Sequence, residues 1–144
     1  MIDSSALQRY SLFGGLLEEQ IERILPLMEQ KKYTNGDDII VEGQPNGYIS
    51  FILEGRSAVI KGGVVLSEIG EGEAFGEMEV LEVMPSAATI KALSDVTVMS
   101  ISNKSLREIY KIDIKTFSLI IMNLARDLSR RLRRMDERAA GIDP

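Results

Sequence analysis

The chain has 144 residues, a formal charge of −5, 44% apolar and 27% charged residues, values that suit one globular domain. It has no His, no Cys and no Trp. That removes Ser-His and Cys-His nucleophilic sites, histidine acid–base chemistry and zinc held by imidazole or thiolate. Catalysis by carboxylates or by a magnesium-bound phosphate stays open, but an enzyme is the least favoured reading, and no catalytic residue or metal site is expected.

No apolar run approaches the roughly 20 residues that cross a bilayer, and Asp3 and Arg9 interrupt any signal-like stretch, so no membrane partner is expected. The missing cysteines fit a reducing compartment, and the expected location is the cytoplasm. Charge is unevenly placed: residues 1–103 hold 16 acids against 7 bases, and residues 104–144 hold 10 bases against 6 acids. An acidic body argues against direct DNA binding, because phosphate affinity rests on Lys and Arg.

Ser4 and Ser5 are candidate caps for a short first turn through Leu7 and Tyr10. After Gly14-Gly15, the apolar residues Leu16, Leu17, Ile21, Ile24, Leu25 and Met28 recur at helical spacing, with Pro26 set to bend or shorten the helix. From Lys31 to Ser102 short β-branched and aromatic runs alternate with turn signals. Tyr33, Ile39–Val41, Tyr48–Leu53, Ala58–Ile60, Val64–Ile69, Ala87–Leu93 and Val96–Ile101 are the runs, and Asn35-Gly36, Asn46-Gly47 and Gly62-Gly63 are among the turns. Seven or eight such strands with no long helix between them predict a barrel or sandwich rather than a doubly wound sheet.

The C-terminal third predicts helix. Ser102 or Asn103 caps Lys104–Tyr110. Phe117, Ile121, Leu124, Leu128, Leu132 and Met135 then form an apolar stripe long enough to serve as a homodimer seam. Arg126, Arg130, Arg131, Arg133, Arg134 and Arg138 crowd its flanks and read as a solvated face pairing with Asp127, Asp136, Glu137 and the acidic body.

Several segments, in order, are similar to the cyclic nucleotide-binding domain family, which includes catabolite activators and protein kinase A regulatory subunits. They run from Leu12-Phe13 through Tyr33-x-x-Gly36-Asp37-x-Ile39, Glu42-Gly43 and Ile52-Leu53-Glu54-Gly55. They peak at Gly72-x-x-Phe75-Gly76-Glu77-Met78 and Pro85-x-Ala87-Ala88-Thr89-Ile90-x-Ala92. The resemblance implies a mainly β fold with flanking helices: an eight-stranded antiparallel, jelly-roll-like β-roll plus a long C-terminal helix. It implies N-terminal helices over 1–30, the roll over 31–102 with a phosphate-binding helix near 76–82, and C-terminal helices over 103–140, with 114–138 for dimerisation.

The resemblance also implies a ligand site around Phe75, Gly76, Glu77, Met78, Ser86, Ala87 and Arg131. A glycine turn into a helix start suits an anion. In the family a glutamate there grips the ribose hydroxyl, the position held by Glu77, and an arginine after the proline neutralises the phosphate. Here that position is Ser86. Losing such a contact costs about 2–5 kcal/mol, or roughly 30-fold to several thousand-fold in affinity. Glu79 stands where a small residue is usual, either aimed into the cradle or facing water. Six acids and no base lie between Glu68 and Glu82. The hydroxyl positions that meet the purine in catabolite activators are Met135 and Asp136.

The expected function is therefore a non-enzymatic sensor module that binds cAMP, cGMP or a related nucleotide weakly, with no cofactor required. The alternative is a ligand-free domain acting as a dimeric docking module for an unidentified protein partner. No DNA-reading segment is expected, and the chain is either a stand-alone module or part of a longer protein.

Overall fold

The computed structural model describes residues 3–77, 80 and 83–141. Eight strands form two four-stranded antiparallel sheets. They are β1 (Met28–Tyr33), β2 (Asp38–Ile40), β3 (Tyr48–Glu54), β4 (Ser57–Lys61), β5 (Val64–Ile69), β6 (Ala74–Phe75), β7 (Thr89–Ala92) and β8 (Val96–Ser102). One sheet runs β1-β8-β3-β6 and the other β2-β7-β4-β5. Apart from the β4-β5 hairpin, neighbours in space are thus not consecutive in sequence, as in a rolled sandwich.

The central strands β3 and β8 of the first sheet are buried on both faces, while the edge strand β1 stays partly exposed. Along β3 the side chains alternate: Ile49, Phe51 and Leu53 face a core shared with the helices, while Ile52 faces the second sheet. Phe51 is fully buried and meets Phe13 edge-on at 5.4 Å and Tyr10 at 5.3 Å. The inter-sheet core holds Ile40, Ile52, Ile69, Phe75, Ile90 and Val98. The buried Ser50 and Ser100 hydroxyls satisfy each other at 2.8 Å.

Helices α1 (Ser4–Leu7) and α2 (Glu18–Ile24) precede the roll, and α3 (Asn103–Ile112) and α4 (Ile114–Ala139) follow it. The N-terminal boundaries differ from the sequence reading. Asp3, not Ser4 or Ser5, caps α1, accepting from the Ala6 amide at 2.9 Å. The second helix stops at Ile24, shortened at Pro26, where the chain passes through a 3-10 turn, and the roll begins already at Met28 rather than at Lys31.

The other ends follow capping chemistry. Ser102 caps α3 through the Ser105 amide at 3.0 Å. Asp113 caps α4 through the Lys115 and Thr116 amides. The Thr116 hydroxyl first, and then these amides and Arg23, hold the Asp113 carboxyl below its usual range.

α4 docks by its first half. Ile120 and Leu124 are in the main core, and Phe117 and Leu128 pack against it. Asn123, 5% exposed, donates from Nδ2 to the carbonyls of Leu12 at 3.1 Å and Gly14 at 2.9 Å, which ties the N-terminal segment to the helix. Asn123→Ala strands both acceptors and should cost about 1–3 kcal/mol in urea unfolding. A loss below about 0.5 kcal/mol would show that other groups fix this junction.

Candidate ligand-binding site

The site forms where β6 leads out of the roll. Gly76 has φ 82°, and a Cβ there would lie 2.6 Å from the Tyr48 carbonyl and 2.7 Å from Asn46 Nδ2. Only glycine fits that turn. Asn46 braces it by donating to the Gly76 carbonyl at 3.1 Å and the Tyr48 carbonyl at 2.9 Å. In the sequence Asn46-Gly47 carries only a turn signal, and its bracing role exists once β6 lies beside it. Glu77 and Val80 are helical; Met78, Glu79 and Glu82 lie outside the described residues.

Glu77 is 2% exposed. Its Oε1 accepts from Arg131 Nη1 of α4 at 2.9 Å, and Arg131 Nη2 donates to the Ala74 carbonyl. Its Oε2 is buried and has no partner among the described residues. A charge this deep persists only when paired, and an unmet buried acceptor costs about 1–3 kcal/mol unless a ligand or water meets it.

Beside Glu77 lies a cavity of about 100 Å³. Its floor is the end of the inter-sheet core, where Ile40, Ile69, Phe75 and Ile90 show, with Val59 of β4. Its polar side is Gly76, Glu77, Ala87, Ala88 and Arg131. That volume is about three waters' share, below the roughly 300 Å³ at the lower end for small-molecule pockets. With Arg131 in place the pocket is therefore closed down.

Ser86 is buried, 3% exposed, and does not itself line the cavity. Its amide donates to the Gln44 carbonyl at 2.9 Å, its carbonyl accepts from the Gly43 amide at 2.8 Å, and its hydroxyl has no partner among the described residues. Lys91 is taken up by Asp38 at 2.9 Å and the Gly36 carbonyl at 3.3 Å. Of the acids near the cradle, Glu68 is matched by Arg56 at 2.9 Å. Lys61, which no motif singled out, donates to the Ala87 carbonyl at 2.7 Å.

On the far side of Arg131 an open groove of about 580 Å³ is lined by Arg9, Arg130 and Arg134 facing Glu71, Glu73 and Asp127. Charges there nearly balance, which makes it a seam between helix and roll rather than an anion site.

The apolar stripe of α4 divides. Leu124, expected on a dimer seam, is 1% exposed in the chain's own core, and Phe117 and Leu128 lean on that core. Ile121 lines a groove between α3 and α4 with Phe117 and Tyr110. Leu132 and Met135 are exposed, 59% and 61%, as is Met122 at 51%. The docked line runs through Thr116, Ile120, Asn123, Leu124 and Arg131; Met122 and Leu132 each stand one residue, about 100° around the helix, from a member of that line and so turn off it. Met135 being exposed, neither it nor the equally exposed Asp136 forms a wall for a base.

Arg131→Met leaves the buried Glu77 carboxylate alone and should cost about 3 kcal/mol in thermal or urea unfolding. Adding Glu77→Gln should return most of that loss. If the single change is neutral, the pair does not hold the helix to the roll.

The family model for the cyclic nucleotide-binding domain matches residues 30–113. A cAMP-dependent protein kinase regulatory subunit of Yarrowia lipolytica is 33% identical over 98 residues, covering 68% of this chain and 26% of that protein. The cyclic AMP receptor protein of Thermus thermophilus is 30% identical over 130 residues, covering 87% of this chain and 58% of that protein. The chain thus spans about a quarter of the first relative and just over half of the second. A solved cyclic nucleotide-binding domain from Methylobacillus flagellatus superposes with a TM-score of 0.84 at 23% identity, covering 93% of this chain and 78% of that one, a likeness of fold. With the β-roll, the glycine turn and the buried glutamate in place, the chain belongs to the cyclic nucleotide-binding domain family of regulatory modules.

Proposed function

We propose that the chain is a non-enzymatic sensor that takes cAMP, cGMP or a related nucleotide weakly and reports occupancy through its long helix. One observation carries the reading. Glu77 is 2% exposed, lines the cavity, spends one carboxylate oxygen on Arg131, and has no partner for the other among the described residues. A ribose hydroxyl is the kind of donor that oxygen lacks. The name of the Thermus relative, a cyclic AMP receptor protein, supports the same ligand class.

Weak binding follows from two features. No arginine stands at Ser86, and the cavity must enlarge before a nucleotide enters. Enlargement means loosening Arg131, so ligand and helix compete for one carboxylate. Any ligand must offset that contact before net affinity appears.

A second reading, a ligand-free dimeric docking module, is favoured by the cavity's small volume of about 100 Å³. Calorimetry with cAMP and cGMP decides between the two. The sensor should bind in the micromolar range or weaker, and sub-micromolar cAMP affinity would contradict weak binding. Ser86→Arg with Glu79→Ala should raise cAMP affinity at least roughly tenfold, since it supplies the fork and removes a like charge. No gain would mean that cavity volume, not charge, limits binding.

We also propose that the outward face of α4 pairs with a second copy. Met122, Leu132 and Met135 lie exposed on a helix otherwise rich in arginine, and a two-fold contact lets each helix cover its twin. Leu132→Asp should then shift light scattering from dimer to folded monomer. A parent already monomeric at tens of micromolar would end the dimer model.

A further inference from the structure

A phosphate entering the cradle needs positive charge, and the family's source of it is absent at Ser86. Among the described cations nearby, Lys91 is bound to Asp38 and Arg131 to Glu77. Lys61 remains. We propose that Lys61 supplies the charge that meets the ligand's phosphate, in place of an arginine at position 86. The inference rests on the reading that the site takes a cyclic nucleotide.

Strand geometry places Lys61 there. β4 pairs with β7 in regular antiparallel register, Ser57 opposite Ala92, Val59 opposite Ile90 and Ile60 opposite Thr89. Side chains alternate across a strand, so Ser57, Val59 and Lys61 share one face. Ser57 is fully buried on it and Val59 lines the cavity, which makes this the pocket face. Lys61 is its last member, at the open end of the strand. From there Nζ donates 2.7 Å to the carbonyl of Ala87, itself a wall of the cavity and the residue after Ser86.

The ammonium has capacity to spare. It carries three donors, and the Ala87 carbonyl uses one. No carboxylate pairs with it among the described residues; the nearby Glu42 accepts from the Gly62 amide at 3.0 Å instead. A lysine stem is flexible, so Nζ can keep the carbonyl and turn another proton to an oxygen seated at the cradle. Because Lys61 is exposed, water screens it, and its effect falls well short of a buried bidentate arginine.

The test is calorimetric titration of cAMP, at several salt concentrations, into the parent chain and single variants. Lys61→Gln keeps a donor for the Ala87 carbonyl but removes the charge, and Lys61→Arg keeps the charge. The Gln variant should bind cAMP roughly 3- to 5-fold more weakly, with a flatter salt dependence, and the Arg variant should match the parent. Adding Ser86→Arg to Lys61→Gln should restore affinity. A Gln variant that keeps the parent's affinity and salt slope overturns the role of Lys61 and leaves the nucleotide reading standing. No cAMP binding to the parent at millimolar ligand overturns both, since no phosphate is then met at all.

Discussion

A carboxylate at 2% exposure, inside a roll whose interior is aliphatic, is the constraint around which the molecule is arranged. It cannot stay charged there alone, and the partner it finds, Arg131, belongs to α4 rather than to the roll. The second guanidinium arm reaches the Ala74 carbonyl, in the strand just before the glycine turn. One side chain thus ties the far part of the long helix to both ends of that turn. Whatever else meets Glu77 must either use the free Oε2 or displace the arginine.

The helix is held differently along its length. Ile120 and Leu124 are in the main core, and Asn123 is hydrogen-bonded to the N-terminal segment, so the first half is part of the fold. Past Leu128 the contacts with the roll become polar: Arg131 with Glu77, and Arg138 with the Leu66 carbonyl at 3.2 Å. Leu132 and Met135 stay largely exposed there, Met135 at the edge of a groove against β5. The Arg138 contact is exposed and exchanges readily with water, whereas the Arg131–Glu77 pair is largely buried and costly to break, as a buried leucine is costly to extract. On the proposed reading, a ligand that displaced Arg131 would free the distal half of the helix while the first half stayed docked.

Most of the roll was legible because its signals are local. Alternating β-branched runs between Asn-Gly and Gly-Gly turns are written residue by residue, and so is the cap at Ser102. Elements that depend on partners were not. The two residues of β6 have no pattern of their own and become a strand only by pairing Ala74 with Phe51 and Phe75 with Ser50. Met28 carries helical spacing yet starts β1, because β8 offers Ile101 opposite it. On α4 the stripe suggests one seam, but only packing reveals that the face toward the roll takes Leu124 and leaves Leu132 outside.

The site shows the same division. Gly76 and Glu77 sit in a contiguous motif, and Ser86 stands out as a departure from it. Lys61 is silent in sequence, because its nearness to Ala87 follows from the register of β4 against β7. The arrangement also bounds how far occupancy can act. A ligand shifts the helix only by the difference between its affinities for the closed and open forms. On the proposed reading that difference would be set at Glu77, whose buried carboxylate Arg131 already holds. A ligand that used only Oε2 and left Arg131 in place would bind without moving the helix. Signal, on that reading, requires displacement, and displacement exposes the ligand's affinity to the full strength of the pair, so that weak binding and responsiveness would arise from one contact.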